Sequence, residues 1–218
     1  MRLFTLPGVF RPRPDSWMLA DALRGERLAG ARVLDVCTGS GVLAITAALE
    51  GADATAVDVS RRATLCAALN ARLNGTRVRA LRGDLFDAVP GERFHAIVAN
   101  PPYLPAADDE LPTRGQRRAW DAGRDGRAII DRLCAEAPAH LAPGGALLLV
   151  HSSLCDIGAT VRALIAAGLR TEIVARHRGV LGPLLRARAR QLEARGLLAA
   201  GEREEDVVIV RAAAYSYS

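Results

Sequence analysis

The chain contains no lysine: all 29 of its basic residues are arginine, set against 24 acidic ones, for a formal charge of +5 over 218 residues. A basic balance attracts polyanions. A GC-rich coding sequence yields the same excess of arginine, alanine and glycine with no demand from function, so charge alone selects no partner. Cysteine is scarce, and Cys37, Cys66, Cys134 and Cys155 form no CxxC pair. That spacing argues against a zinc ribbon, a disulfide scaffold or any metal site, and fits a reducing compartment. Long apolar runs are missing too. No window reaches the roughly 20 apolar residues of a membrane span, and the opening MRLFTLPGVF is too short an apolar stretch for a signal peptide. A cytoplasmic protein without membrane contact is expected. Half of the residues are nevertheless hydrophobic, enough for one substantial core.

Short aliphatic and β-branched runs alternate with longer helical patterns, as in repeated βαβ units. Strands are expected at Arg32–Val36, Thr55–Val59, Val78–Leu81, Phe94–Ala99 and Ala146–His151, with a late pair at Thr171–Ala175 and Val207–Arg211. Helical patterns cover about Gly41–Glu50, Arg61–Asn74, Gly126–Leu141 and Ile157–Ala167. The expected fold is α/β: a seven-stranded, mostly parallel sheet with helices on both faces and an antiparallel C-terminal hairpin. Two segments break the rhythm. Leu104–Asp125, rich in Pro, Asp, Arg and Gly, is longer than an ordinary strand-to-helix connection and is expected to serve a substrate. Pro183–Glu205 is an arginine-rich helical pattern between the last two strands, expected as a solvated surface helix.

The most informative stretch, Asp35-Val36-Cys37-Thr38-Gly39-Ser40-Gly41, ends a strand and opens a helix. Gly39-x-Gly41-x-x-Ala44 also satisfies a dinucleotide fingerprint. Asp35 separates the readings. A carboxylate facing the ligand from that strand end repels a pyrophosphate but attracts the ammonium and sulfonium of S-adenosylmethionine. Capping of the turn is the alternative role for Asp35. Asp58, ending the second strand, can accept from both ribose hydroxyls. Asp84 after the third strand can accept from the adenine amine, while Leu85 covers the ring. Three acids at three successive strand ends make a coherent adenosine site.

At the end of the fourth strand stands Asn100-Pro101-Pro102-Tyr103. Two prolines remove two backbone donors. The carbonyls of the Asn100 side chain and of Pro101 remain as acceptors for both hydrogens of a target NH2, and Tyr103 can stack on the planar group that carries it. An amide nitrogen is a poor nucleophile, and such hydrogen bonding makes it more tetrahedral and richer in electron density. A rigid turn is the plainer alternative. His95, His140, His151 and His177 are given no role.

With these residues in view, Val9–Val150 resembles the HemK/PrmC group of protein-(glutamine-N5) methyltransferases, Rossmann-like enzymes that modify the glutamine of the GGQ loop in translation release factors. It is most similar to the short branch, which lacks an N-terminal helical domain, because only 31 residues precede the first strand. The resemblance implies an N-terminal segment, 1–30, that contributes to the cofactor pocket, and an S-adenosylmethionine-dependent domain over 31–218. Pro14-Asp15-Ser16 is similar to a pre-strand segment whose hydroxyl lines that pocket, implicating Ser16. Asp35, Gly39 and Gly41 match the glycine loop, Asp58 the ribose acid, Asp84 and Leu85 the adenine contacts, and Asn100–Tyr103 the catalytic motif. Cys37 departs from the pattern: it stands where many relatives have the loop's first glycine, its backbone still expected against the ligand. Ala119–Arg127, AWDAGRDGR, resembles a stretch that follows the substrate loop in the family. The short branch can rely on a small zinc-binding activator subunit, and the sequence leaves that partner open.

Glutamine N5-methylation of a release factor or similar protein loop is thus the leading expectation. Adenine-N6 methylation of DNA or RNA is the rival, since the same acceptors suit the amine of a flipped-out base, with Arg114, Arg117, Arg118, Arg124 and Arg127 on phosphates. A small-molecule acceptor and a catalytically silent binding protein are the further alternatives.

Overall fold

A computed structural model describes residues 1–113 and 115–215. Along the chain, α1 (Pro14–Arg24) precedes β1 (Arg32–Val36), α2 (Val42–Leu49), β2 (Asp53–Asp58), α3 (Arg61–Leu73), β3 (Val78–Arg82) and β4 (Phe94–Ala99). The second half follows as α4 (Ala128–Glu136), β5 (Leu141–Ser152), α5 (Ile157–Ala166), β6 (Arg170–Val180), α6 (Pro183–Ala194) and β7 (Glu204–Ala213). The sheet order is β3-β2-β1-β4-β5-β7-β6. The first five strands of that order run parallel and β7 runs antiparallel to both neighbours, as the sequence pattern anticipates. Among the described residues, no helix is long and apolar enough to cross a membrane.

The central strands are apolar at nearly every position because both faces are covered. Leu34, Ile97, Leu147 and Leu149 enter one core and Val33, Val98, Leu148 and Val150 the other, the period of two assigning alternate residues to opposite faces. The chain leaves β1 in one direction through β2 and β3, then returns to place β4 on the other side of β1. Such a reversal opens a crevice at the carboxyl ends of β1 and β4, where ligands bind in doubly wound sheets.

Three segments differ from the sequence expectation. Helix α1 is absent from the expected set, although Pro14 at its first turn and buried Ser16, Leu19, Ala20 and Leu23 have helical spacing. The expected helix over Gly126–Leu141 is shorter. Gly126 sits at φ +75, where a Cβ would lie 2.4 Å from the Tyr103 carbonyl, and Pro138 falls in a closing 3-10 turn, Ala137–His140. The Pro183–Glu205 segment does hold a surface helix, but it is solvated on one face only. Leu185, Ala189 and Leu192 of α6 are buried in a third apolar cluster with Leu154, Leu181 and Leu198.

Gly41 shows how tightly the glycine loop is set against its surroundings. It sits at φ +87 at the start of α2, and an added Cβ would lie 2.7 Å from the Cα of Ala67 in α3. Left-handed strain and overpacking add, so Gly41→Ala is expected to lower stability by about 2–4 kcal/mol, measured by urea unfolding.

Candidate active site

The loop between β1 and α2 is built from the inside. Asp35 is fully buried, and its Oδ2 accepts from the Thr38 hydroxyl at 2.5 Å and from the Ala44 amide at 3.0 Å. The carboxylate thus caps the first turn of α2 and pins the loop that leads into it. Its Oδ1 has no partner, and burial pushes its pKa from 3.8 to about 7. Of the residues expected to face a ligand, Asp35 is thus placed beneath the loop, its Oδ2 held by Thr38 and Ala44, and it is not on the cavity wall. Gly41 packs on Ala67 and is likewise off the wall, while Cys37 and Gly39 are on it. Cys37 holds φ +61, which accounts for glycine as the residue usual at such a position.

At the end of β2, Asp58 is half-buried on the cavity wall. It accepts from the Gly39 amide at 3.0 Å and the Ser60 amide at 2.8 Å. Burial raises its pKa, with those two bonds opposing. After β3, Leu85 is buried at φ +47, and Asp84 forms a two-pronged pair with Arg132 of α4 at 3.1 and 3.0 Å. Sequence reading gives Asp84 no partner and misses Arg132.

Past β4, Asn100–Tyr103 lie at the crevice, and here the N-terminal segment enters. The Asn100 amide donates to Asp15 Oδ2 at 3.2 Å and to Ser16 Oγ at 3.1 Å. Tyr103 donates its hydroxyl to the same Asp15 oxygen at 2.9 Å. Burial, then the Asp15 charge, raises the Tyr103 pKa well above its usual value, so the phenol keeps its proton. With its NH2 spent inward, Asn100 presents a carbonyl that accepts no hydrogen bond among the described residues. Ser16 is buried behind Asn100, off the wall; Asp15, which the sequence pattern leaves without a role, lines it.

One cavity of about 1080 Å³ joins these groups. That exceeds the roughly 300–1,000 Å³ of single-ligand pockets, so it has room for two reactants. Its first half is bounded by Cys37, Gly39, Asp58, Asp84, Leu85 and Arg132; its second by Asn100–Tyr103, Trp120, Leu184 and Glu205. Glu205, another residue that sequence reading misses, accepts from Ser152, and burial raises its pKa. The far wall depends on α6. Arg188 donates to the Pro105 carbonyl and to Asp121, both at 2.7 Å, Arg195 to the Ala106 carbonyl at 2.7 Å, and Arg117 to the second Asp121 oxygen at 2.7 Å. The long loop after β4 is thereby fastened to the helix inserted before β7.

Two of the five arginines expected on phosphates are engaged elsewhere. Arg127 is buried and bonds the carbonyls of Cys155 and Asp156, the Thr160 hydroxyl and Asp131. Arg117 is held by Asp121, Arg114 lies outside the described residues, and the guanidinium groups of Arg118 and Arg124 have no carboxylate partner among the described residues. His95 accepts from the Arg32 amide and His140 stacks on Phe86, both away from the cavity; His151 is fully buried. The described residues hold no His, Cys, Asp and Glu group suited to a metal ion.

Residues 1–114 match the family model of the methyltransferase small domain. The chain belongs to that family. A Methanocaldococcus jannaschii protein named for protein N5-glutamine methyltransferase activity is 36% identical over 171 residues, 78% of this chain and 85% of that one. The release factor glutamine methyltransferase of Bordetella pertussis is 40% identical across 75% of this chain and 64% of its own length. That of Deinococcus radiodurans is 44% identical across 63% and 52%. This methyltransferase therefore spans between half and two thirds of those bacterial relatives. Among solved structures, the E. cuniculi Mtq2–Trm112 complex, responsible for methylating the eRF1 termination factor, aligns with a TM-score of 0.63 at 21% identity, covering 95% of this chain and 99% of that one. A T. thermophilus 16S rRNA N2 methyltransferase bound to AdoMet and guanosine aligns at 0.67 and 21% identity, covering 97% of this chain and 47% of that one. At such identities the two carry the fold alone. Family and relatives make the chain an S-adenosylmethionine-dependent methyltransferase.

The buried Asp35 has a measurable signature in this methyltransferase. Its pKa is near 7 folded and near 3.8 unfolded, so the folded form binds the proton more tightly. The favourable contribution is complete below pH 4 and declines as pH rises to 7, by about 4 kcal/mol in all. Asp35→Asn is expected to flatten that decline in thermal unfolding midpoints recorded from pH 4 to 8; an unchanged pH profile would contradict a buried, proton-binding Asp35.

Proposed function

We propose that this methyltransferase transfers a methyl group to the side-chain nitrogen of a glutamine in a protein loop, with translation release factors as the substrate class. The observation that carries the reading is the orientation of the Asn100 amide. Its NH2 is spent on Asp15 and Ser16, so its carbonyl and that of Pro101 are the two groups able to take the hydrogens of an incoming NH2. A nitrogen held by two acceptors is drawn out of conjugation with its carbonyl, and its lone pair becomes available. Pro101 and Pro102 offer no N–H that would compete for that lone pair. The Tyr103 hydroxyl is occupied by Asp15, which leaves its ring to lie against the acceptor's amide plane. The names of the relatives support glutamine over other amides.

S-adenosylmethionine supplies an electrophilic methyl group when bound, and the first half of the cavity suits it. Asp58 has lone pairs left for ribose hydroxyls, and its two backbone bonds fix their direction. Asp84, anchored by Arg132, and Leu85 face the place for adenine, and the backbone of Cys37 and Gly39 the methionine portion. Much of the rate comes from holding the two reactants together; the nitrogen turns strongly acidic as it gains the methyl group and gives up one of its two protons to water, so no strong base is needed there. The cytosol, where release factors act, is the proposed compartment, and a small activator subunit is a proposed partner, in keeping with the E. cuniculi complex. Adenine methylation is less well served, because Arg127 is buried in internal contacts and Arg117 is paired with Asp121.

The deciding experiment incubates the purified protein with labelled S-adenosylmethionine and, separately, an unmodified release factor, a DNA duplex and an RNA, followed by mass spectrometry. Label on the GGQ glutamine is expected; label on adenine with none on the release factor would overturn the proposal. Asn100→Ala is expected to lower kcat by at least about 10²–10³-fold with little change in cofactor affinity. Asp58→Ala should instead weaken cofactor binding about 10–100-fold by calorimetry, as expected for lost bonds to a charged acceptor.

A further inference from the structure

We infer that Asp15 is a positioning residue whose acceptor-only carboxylate decides which end of the Asn100 amide faces the methyl acceptor. The inference rests on the reading of Asn100 as the group that holds that acceptor. An ionised carboxylate has about four lone-pair positions, and Asp15 receives four donors. Oδ1 takes the Ser16 amide at 2.7 Å and the Ser16 hydroxyl at 3.2 Å, while Oδ2 takes Asn100 Nδ2 at 3.2 Å and the Tyr103 hydroxyl at 2.9 Å. No lone pair is left to act as a base or to contact a ligand, so the carboxylate serves by orientation. Ser16 cannot set the polarity by itself, because a hydroxyl donates or accepts as its neighbour requires. Asp15 can only accept, and it therefore keeps the NH2 of Asn100 inward and the carbonyl outward. It also holds Tyr103, so one side chain in the first turn of α1 orients both ends of the tetrapeptide, 85 and 88 residues away in sequence.

The same matching of donors to acceptors predicts what an isosteric change does. In Asp15→Asn, the Ser16 amide is a fixed donor and claims the new side-chain oxygen. The new NH2 then points at Asn100 and Tyr103. The phenol relieves the conflict by rotating, and Asn100 relieves it by flipping its amide, which turns a donor toward the acceptor's own NH2. Adding Asn100→Asp to the same chain repairs the polarity. The carboxylate introduced at position 100 accepts from the amide introduced at position 15 with one oxygen and presents the other to the cavity.

The test compares wild type, D15N, N100D and the D15N/N100D pair for kcat, KM of the acceptor and S-adenosylmethionine affinity, alongside exchange of the Asn100 side-chain amide protons in selectively 15N-labelled protein. D15N is expected to lower kcat at least about 100-fold while cofactor affinity stays within about threefold, and the pair is expected to recover at least about tenfold over D15N. In wild type without acceptor, the Asn100 amide protons should exchange slowly. Wild-type kcat in D15N, absence of rescue in the pair, or free exchange of the wild-type amide would overturn the inference. An unmodified release factor with the wild-type enzyme would instead sink the glutamine reading, while exchange compared between wild type and D15N, which needs no acceptor, would still decide the role of Asp15: equally slow exchange in D15N would remove it.

Discussion

A primary amide has a donor end and an acceptor end of nearly the same size and shape, so packing alone cannot choose between them; only the hydrogen-bonding character of the surroundings can. In this protein that choice falls on Asn100, at the crevice where the strand order reverses, and the chemistry of the cavity depends on it. In the reaction proposed above, a carbonyl turned outward makes the site a receptor for NH2 groups. The neighbouring prolines reinforce the same character by removing backbone donors. The polarity proposed for the acceptor half follows from one carboxylate brought up beside Asn100 by α1.

The half of the cavity proposed for the methyl donor is governed by a different constraint, burial. Asp35 sits under the glycine loop with one oxygen unpartnered, and a carboxyl group is tolerated in an apolar setting because it holds the start of α2 in place. Cys37 and Leu85 at positive φ add local strain where the backbone lines the cavity. Strain and incomplete pairing are thus concentrated along the strand ends that form the pocket, while the two apolar cores beneath are regular.

What is legible in the sequence and what is not follow from the range of the interactions. The five parallel strands are short apolar runs covered on both faces, and their identity is local. The tetrapeptide, Asp58 and Asp84 are legible because a strand end fixes where the next residues project. Asp35 is visible but its direction is not, since facing a ligand and capping a helix require the same residue at the same place. Helix α1 carries a clear spacing at Ser16, Leu19, Ala20 and Leu23, yet its first turn reads as a motif before it reads as a helix. Asp15, Arg132, Arg188 and Glu205 escape sequence reading because their partners are distant in the chain, and an arginine in an arginine-rich sequence shows nothing of which carbonyl it will meet.

Helix α6 interrupts the hairpin between β6 and β7, outside the part of the sheet that carries the cofactor half of the cavity, yet it supplies the far wall and fastens the loop after β4 through Arg188 and Arg195. The two halves of the pocket therefore differ in where they come from along the chain: the first is lined mostly by residues before position 100, while the second joins Asn100–Tyr103 and Trp120 to Leu184 of α6 and Glu205 at the start of β7. A change confined to α6 would thus reshape one wall of the second half while leaving the glycine loop and the parallel strands that carry it in place.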